Sequence, residues 1–283
     1  MGKYIILAET GADIPADLQE QYGIEIVPMH VTFKDVTKDD GSFPATEVFS
    51  FYKTTGILPK TSGCNPEDFM TVLDKIHAEH PDKHILYLAY SSVTTCSYQS
   101  CVIASEERDY ITLVDTKHVS AGQCLVVTLT ARYLEQHPDA EIPEIVKYVE
   151  KIRDEVKMGF FPGDLDYLRA GGRVSNVAYL GAKILSLNPL IELKDGKLMA
   201  GKKYRGTLDK VALKFLPEFA EKENLSREIL FLIQSMGLKE ETKKQLVDEA
   251  TKLGFKEIRW ITTGCVVSTH SGPGAFGVSG ISL

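Results

Sequence analysis

The stretch NPEDFMTVLDKIHAEHPDKHILYLAYSS, residues 65–92, points to the fold because a helix signal is followed directly by a strand signal. Asn65 is a favoured helix cap, and Pro66 suits the first helical position. Apolar side chains then recur at helical spacing and predict one face turned towards a core: Phe69, Val72, Leu73 and Ile76. The apolar run at 84–90 has the length of a buried strand. The stretch therefore predicts a helix packed against a sheet.

The same alternation extends to both sides of this stretch. Strands are predicted at 4–10, 23–33 and 110–116, and helices at 98–106 and 122–135. A further helix is predicted to start near Pro15 with Asp13 as its cap. A last helix, which closes this half of the chain, carries apolar residues at Ile142, Ile145, Val146, Val149 and Ile152. Strands that alternate with helices indicate a mostly parallel sheet with helices on both faces.

The pattern changes near residue 157. A short strand leads into a helical turn capped by Asp164 and ended by Gly171 and Gly172. The dipeptide Asp195-Gly196 predicts a hairpin and therefore a mixed or antiparallel sheet. The remaining predictions are helices at 207–222 and 239–253, strands at 228–235 and 256–264, and a Gly-rich loop before a terminal strand. We therefore expect an α/β protein with two domains, 1–157 and 158–283.

Length, charge and cysteine content narrow the class of protein. A chain of 283 residues is long for a single core. No run approaches the ~20 apolar residues of a membrane-spanning helix, and the N-terminus is typical of a strand rather than a signal peptide. A net charge of −7 argues against nucleic acid as a partner. Five cysteines without CxxC spacing favour a reducing, cytoplasmic compartment.

The sequence lacks the motifs of common catalytic and nucleotide-binding sites. There is no P-loop, no GxSxG elbow, no HExxH helix, no kinase motif set and no GxGxxG after a strand. His77, His80 and His84 surround Pro81, which breaks a helix, and this pattern favours a solvated surface over a metal site. We therefore predict neither a metal nor a cofactor.

Four segments could instead form a binding site: TSGCNPEDF from Thr61, SSVTTCSYQS from Ser91, LRAGGRVS from Leu168 and HSGPGAFG from His270. Taken singly, each has a structural explanation as a cap, a turn, a helix end or a loop. Together they suit one anionic group, because hydroxyls and glycine N–H groups donate without adding charge and arginine offers a planar fork. Hydroxyl residues also follow the predicted strands, where ligands bind in open α/β sheets: Thr10, Ser91, Ser92, Thr95, Ser97 and Thr116.

With these motifs in view, the chain resembles the DegV family of bacterial fatty-acid-binding proteins, which includes the fatty-acid-binding subunit of the bacterial fatty acid kinase. The resemblance covers almost the whole chain, from ETGADIP at Glu9 to HSGPGAFGV at His270. LDYLRAGGRVS and HSGPGAFGV, in this order and this far apart, are the specific motifs. PKTSGCNPEDF, the Ser91–Ser100 turn and VDT at 114–116 are weaker.

The resemblance implies roles for individual residues, with the ligand head group near the domain interface. Thr61 and Ser62 match a pair that binds the fatty acid carboxylate, and Thr95, Cys96 and Ser97 match a tripeptide with the same role. Arg173 and His270 match residues near the head group, where the acyl phosphate forms. Arg205 matches an arginine on the surface that faces the kinase. Four positions depart from the family pattern: Glu9 for Asp, Gly63-Cys64-Asn65 for Gln-Pro-Ser, Cys96 for Gly and Asn188 for Lys.

The resemblance implies a binding subunit, not an enzyme. It would hold a long-chain fatty acid and present the carboxylate to a separate ATP-dependent fatty acid kinase, whose acyl phosphate product enters phospholipid synthesis. Two other functions stay open. One is a sensor or carrier of another anionic, lipid-like ligand. The other is a serine hydrolase or acyltransferase with Ser62 or Ser97 as nucleophile and His270 as base.

Overall fold

The computed structural model describes residues 2–174 and 187–283. Within these ranges the strands are β1 (Tyr4–Glu9), β2 (Glu25–Val27), β3 (His30–Phe33), β4 (Val36–Asp39), β5 (Lys60–Ser62), β6 (His84–Ala89), β7 (Ile111–Asp115), β8 (Val156–Phe161), β9 (Leu187–Lys194), β10 (Lys197–Arg205), β11 (Leu225–Gln234), β12 (Glu257–Thr262) and β13 (Phe276–Ser282). The helices are α1 (Ala16–Tyr22), α2 (Thr46–Thr55), α3 (Pro66–Glu79), α4 (Ser97–Ala104), α5 (Ser120–Gln136), α6 (Ile142–Glu155), α7 (Leu165–Gly171), α8 (Leu208–Lys222), α9 (Glu240–Lys252) and α10 (Cys265–Ser271).

The N-terminal part is built on a four-stranded parallel sheet in the order β2-β1-β6-β7. Its central strands are apolar on both faces because helices cover both sides. Ile6 and Leu88 face a core shared with α5 and α6, whereas Leu7 and Tyr87 face a core shared with α3. The cap of α3 is as predicted, since the Asn65 side chain accepts the N–H groups of Glu67 and Asp68.

The predicted strand at 23–33 is wrong in one respect, because it is two strands in different sheets. β2 ends at Val27 and joins the parallel sheet, while β3 starts at His30 and lies at the centre of an antiparallel sheet, β4-β3-β5. Pro28 has no N–H to continue a ladder, so the chain changes sheets there. This small sheet carries Thr61, opposite Val31 in the register.

The C-terminal part contains a six-stranded mixed sheet in the order β10-β9-β8-β13-β11-β12. Only β11 and β12 pair in parallel. The hairpin turn between β9 and β10 lies at Asp195-Gly196, as predicted, and both residues have the positive φ angles (48° and 77°) of a tight hairpin turn. The predicted α/β class, with a parallel sheet followed by a mixed sheet, is confirmed. The domain boundary at 157/158 stays a prediction.

Two further predictions about elements are wrong, and they concern the same place. Asp13 does not cap α1; it has a left-handed φ of 54°, and its carboxylate accepts hydrogen bonds from Ser120 Oγ and from the N–H of Gly264. The predicted loop that carries His270 begins with a short helix, α10. Both errors have one cause. Carboxylates distant in sequence, one of them Asp13, accept N–H groups at the start of α10, and the local sequence does not show these contacts.

Among the described residues, no helix is both long and apolar enough to cross a bilayer.

Candidate functional site

A single cavity brings together residues from both halves of the chain. It encloses about 870 Å³ of empty space, including the part open to solvent. Most of its described lining is apolar: Met29, Val119, Met158, Phe160, Leu168, Val174, Leu198, Ile233, Val266, Val267, Ala275 and Phe276. The lining among residues 2–174 and 187–283 includes one cation, Arg173, and no carboxylate. The cavity therefore suits a largely apolar ligand with a small anionic group.

Thr61 and His270 meet in this lining although they are 209 residues apart. Thr61 lies in β5 and His270 in the last turn of α10, and Thr61 Oγ1 is 2.7 Å from His270 Nε2. The antiparallel pairing of β5 with β3 fixes the position of Thr61. The two predicted residues are thus direct neighbours.

The imidazole of His270 is held neutral. Burial, with a smaller contribution from the Arg173 guanidinium, lowers the pKa of His270 from 6.5 to about 4. Its Nδ1 is buried without a hydrogen-bond partner. A side chain at Gly171 would place its Cβ only 2.1 Å from this Nδ1, so the bare glycine lets the ring pack against α7. A buried unpaired N–H is rarer than an unpaired acceptor, so we assign the hydrogen to Nε2, which then donates to Thr61 Oγ1.

Thr95 is oriented by a similar arrangement. Ser97 Oγ accepts the N–H of Cys64 at 3.1 Å, so its own hydrogen is available for Thr95 Oγ1 at 3.2 Å. The hydroxyl hydrogens of Thr61 and Thr95 are then both free to point into the cavity. Gly63 lies where the segment of Thr61 contacts the loop of Thr95. A Cβ at this position would lie 2.2 Å from Thr95 Oγ1. The segment from Thr61 to Cys64 and the loop of Thr95 are therefore packed directly on each other.

Arg173 completes what we call the polar cluster: Thr61, Thr95, Arg173 and His270. It follows α7, and its Nη1 donates to the carbonyl of Gly171 at 2.6 Å. No ion pair joins it to another of the described residues, so most of its five N–H donors are available to a ligand. An exposed guanidinium next to neutral hydroxyls gives this end of the cavity a positive charge.

Helix α10, and with it His270, is anchored by two buried carboxylates from the first forty residues. Asp13 Oδ1 accepts the N–H of Gly264 at 2.6 Å, and Asp40 Oδ1 accepts the N–H of Cys265 at 2.8 Å. Negative charge at a helix N-terminus is favourable. Burial, together with a smaller contribution from the nearby Asp40 carboxylate, raises the pKa of Asp13 well above its usual value. Sequence analysis missed both roles, and the positive φ at Asp13 has no sequence signal.

The other predicted site residues are placed differently. Ser62 lines the cavity from an exposed position, whereas Ser97 is buried and acts through Thr95. Cys96 is exposed, and neither Cys96 nor Arg205 is among the residues that line the cavity. Several strand-end hydroxyls bond elsewhere and do not join the cluster: Thr10 to the N–H of Met29, Ser91 to the Gly196 carbonyl, Ser92 to Asp115 and Thr116 to the Ala89 carbonyl. Sequence analysis also missed Tyr90, which lines the cavity.

The geometry does not favour a serine nucleophile. His270 Nε2 faces a threonine, and the hydroxyl of Ser97 is bonded to Cys64 N and Thr95. Within the described ranges, no three His, Cys, Asp or Glu side chains are grouped so that they could hold a metal ion.

Burial of His270 predicts a loss of stability in mild acid. The unfolded chain takes up a proton near pH 6.5, whereas folded His270 does so only near pH 4, so unfolding becomes easier as the pH falls through this window. His270→Gln removes this pH-dependent contribution to the free energy of unfolding. Urea titrations should show wild type losing roughly 1–3 kcal/mol relative to the variant between pH 7 and pH 4, with no change above pH 7. A difference that is independent of pH would contradict the burial of the ring.

Comparison with known proteins identifies related chains over nearly the full length. The profile of one family, described as uncharacterised protein, DegV family, matches residues 3–283. A curated relative from Thermotoga maritima, named fatty acid-binding protein, is 30% identical over 283 residues, which cover 97% of this chain and 96% of the relative.

Two solved structures share the fold. A DegV family protein from Thermus thermophilus, described by its fatty acid binding, is 25% identical and superposes with a TM-score of 0.88, covering 99% of this chain and 100% of that one. A hypothetical protein from Thermotoga maritima, described as revealing a fatty acid binding function, is 28% identical with a TM-score of 0.84 and full coverage of both chains.

Proposed function

The chain belongs to the DegV family, and on that premise we propose that it binds a long-chain fatty acid and presents the carboxylate to a separate fatty acid kinase. The observation that carries the proposal is the combination of an apolar cavity with one polar cluster in its lining. In this arrangement the acyl chain lies against the apolar lining, and the carboxylate lies at Thr61 and Thr95. Both Thermotoga maritima and Thermus thermophilus relatives named above are described as binding fatty acids.

Affinity and orientation come from different parts of such a ligand. Burying a chain of ~16 methylenes contributes roughly 12 kcal/mol before ordering costs, at about 0.8 kcal/mol for each CH₂. A hydrogen bond to a charged group contributes about 1.5–3 kcal/mol. The tail therefore supplies most of the affinity, and the polar cluster determines which end of the molecule lies near Arg173.

The polar cluster favours the ionised carboxylate. Thr61 and Thr95 have free hydroxyl hydrogens, and Arg173 provides further N–H donors, so both oxygens of the ligand meet donors. Hydrogen bonds to the charged form lower the pKa of a carboxyl group. An ionised carboxylate is the nucleophile that phosphoryl transfer needs. In this proposal the kinase supplies ATP and the catalytic groups, and the present chain supplies the oriented acceptor.

We expect the purified protein to contain fatty acid in a ratio near one to one. Mass spectrometry of organic extracts from denatured protein should identify a saturated or unsaturated chain of roughly 14–18 carbons, the length that gives the burial estimated above. After delipidation, palmitate or oleate should raise the melting temperature, because a ligand that binds the folded state stabilises it.

A matched comparison with hexadecanol tests the role of the polar cluster. The alcohol offers the same tail without a carboxylate, so it should bind about tenfold or more weakly. Extracts that yield another anionic lipid would favour the sensor or carrier alternative. Absence of any lipid, with no thermal shift from palmitate or oleate, would reject the proposal.

A further inference from the structure

Tyr90 places a phenol in the wall of the cavity but outside the polar cluster. The residue follows β6, and its N–H donates to both carboxylate oxygens of buried Glu9, at 3.2 and 3.1 Å. Its ring edge lies beside η1, the 3-10 turn at Thr10–Ala12: a Cβ on Gly11 would be 3.0 Å from Tyr90 Cε2 and 2.8 Å from Met29 Sδ. The backbone N–H of Tyr90 is therefore held by Glu9, and its ring and Met29 both lie beside Gly11 and line the cavity.

The phenol of Tyr90 is a hydrogen-bonding group without a partner among the described residues. Its Oη bonds to no residue in 2–174 or 187–283. Other hydroxyls in the lining are already committed: Thr94 Oγ1 donates to the Ser91 carbonyl, Ser120 Oγ to Asp13, and Thr263 Oγ1 pairs with Ser268 Oγ. Ser271 Oγ also lacks a partner, but it is enclosed by protein. Ser62 Oγ likewise bonds to no described residue, but Ser62 is exposed, so Tyr90 is the less exposed of the two free donors in the lining.

The surroundings of Tyr90 keep its hydrogen in place. Burial, with the nearby carboxylates of Asp13 and Glu9 as smaller causes and the Arg173 guanidinium in opposition, raises the pKa of Tyr90 far above 10. The phenol is therefore neutral at any physiological pH and able to donate. None of the hydrogen bonds of the polar cluster includes it. Tyr90 is therefore a donor in the lining that is not among the residues proposed to hold the carboxylate, Thr61 and Thr95.

We propose, on the basis of the fatty acid function above, that the cavity prefers a long-chain fatty acid whose chain carries an oxygen, as a hydroxyl or keto group, opposite Tyr90. An unsubstituted chain would displace water from the phenol, cover it with methylene groups and leave its donor unpaired, which is unfavourable. An oxygen at the matching carbon accepts the hydrogen bond instead. Tyr90 would then determine which chains are selected, while the polar cluster holds the head group common to all of them.

Competition binding with delipidated protein tests this preference. Stearate serves as the reference, and the competitors are hydroxystearates with the hydroxyl at carbon 3, 6, 10 or 12, together with the corresponding ketostearates. We expect at least one of these isomers to bind about fivefold more tightly than stearate, the ratio that one additional hydrogen bond gives. In Tyr90→Phe the same isomer should lose this advantage, whereas stearate should bind as well as to wild type or better.

Tyr98→Phe is the matched control, because it also removes a phenol hydroxyl but Tyr98 does not line the cavity. It should keep the preference of wild type. The inference is overturned if no substituted isomer exceeds stearate, or if Tyr90→Phe keeps the preference. Either result leaves stearate binding intact and so leaves the proposed function standing. Failure of every fatty acid to bind would instead reject both.

Discussion

Arg173→Ala should retain bound fatty acid and lose about 100-fold in the rate of acyl phosphate formation when mixed with ATP and a fatty acid kinase that accepts the wild-type chain. Removal of a donor that stabilises developing charge typically costs 10²–10³-fold. Fatty acid affinity should fall by only about tenfold or less, since the tail supplies most of the binding free energy. The measurements are lipid content by mass spectrometry and a kinase-coupled assay.

The reason lies in the charge balance of the polar cluster. In the proposed arrangement Thr61 and Thr95 hold a singly charged carboxylate, and His270 is neutral at physiological pH. Phosphorylation adds negative charge and more acceptor oxygens to the head group. Arg173 is the cation in the described lining that can match this charge, and among the described residues its guanidinium bonds one carbonyl, that of Gly171.

Two variants separate this role from a structural one. Arg173→Lys keeps the charge but not the planar fork, so it should recover part of the rate. Lys244→Ala removes an exposed cation of α9 that does not line the cavity, and should leave both lipid content and rate unchanged. If the rate with Arg173→Ala stays within about twofold of wild type in the coupled assay, Arg173 is only a surface residue after α7. Its proposed role in acyl phosphate formation is then rejected.

Local signals in the sequence were sufficient for most of the fold. Asn65 and Pro66 specify the start of α3, and Asp195-Gly196 specifies the hairpin, because caps and tight turns depend on a few adjacent residues. The change of sheet at Pro28 and the short helix α10 were not predicted. α10 depends on Asp13 and Asp40, which are more than 220 residues away in sequence. A contact between residues so far apart in sequence leaves no signal in the residues around either of them.

Four of the predicted site residues line one cavity, but the contacts between them were not predicted. The family resemblance identified Thr61, Thr95, Arg173 and His270, which the structure brings together in one cavity. It gave no indication that His270 bonds Thr61, or that Ser97 acts on Thr95 from a buried position. These are properties of packed side chains, as is the free phenol of Tyr90. Which hydroxyl hydrogens remain available to a ligand depends on tertiary packing, so local sequence cannot show it.

Gly63 offers the sharpest test of that packing, and Gly63→Ala should weaken fatty acid binding by tenfold or more. The backbone at Gly63 does not have a positive φ, so alanine meets no conformational obstacle. The added methyl group would lie 2.2 Å from Thr95 Oγ1 and 2.6 Å from Ser97 Oγ, well inside van der Waals contact. The loop of Thr95 must then move away from β5, which separates the two hydroxyls proposed to share the carboxylate.

Gly201→Ala is a suitable control for the general cost of replacing glycine in this fold. Its Cβ would lie 3.0 Å from the flexible end of Glu192 and in ordinary contact, at 3.8 Å, with the Leu190 carbonyl, so this variant should bind palmitate as wild type does. The double variant Gly63→Ala/Thr95→Ala distinguishes displacement from a mere loss of stability. If the alanine acts by displacing Thr95, the double variant should bind no more weakly than Thr95→Ala alone, because the displaced hydroxyl is already absent. Two results would show that Thr95 and Gly63 do not act through one shared contact. One is a loss of affinity in the double variant equal to the sum of the losses in Gly63→Ala and Thr95→Ala. The other is palmitate binding by Gly63→Ala within twofold of wild type.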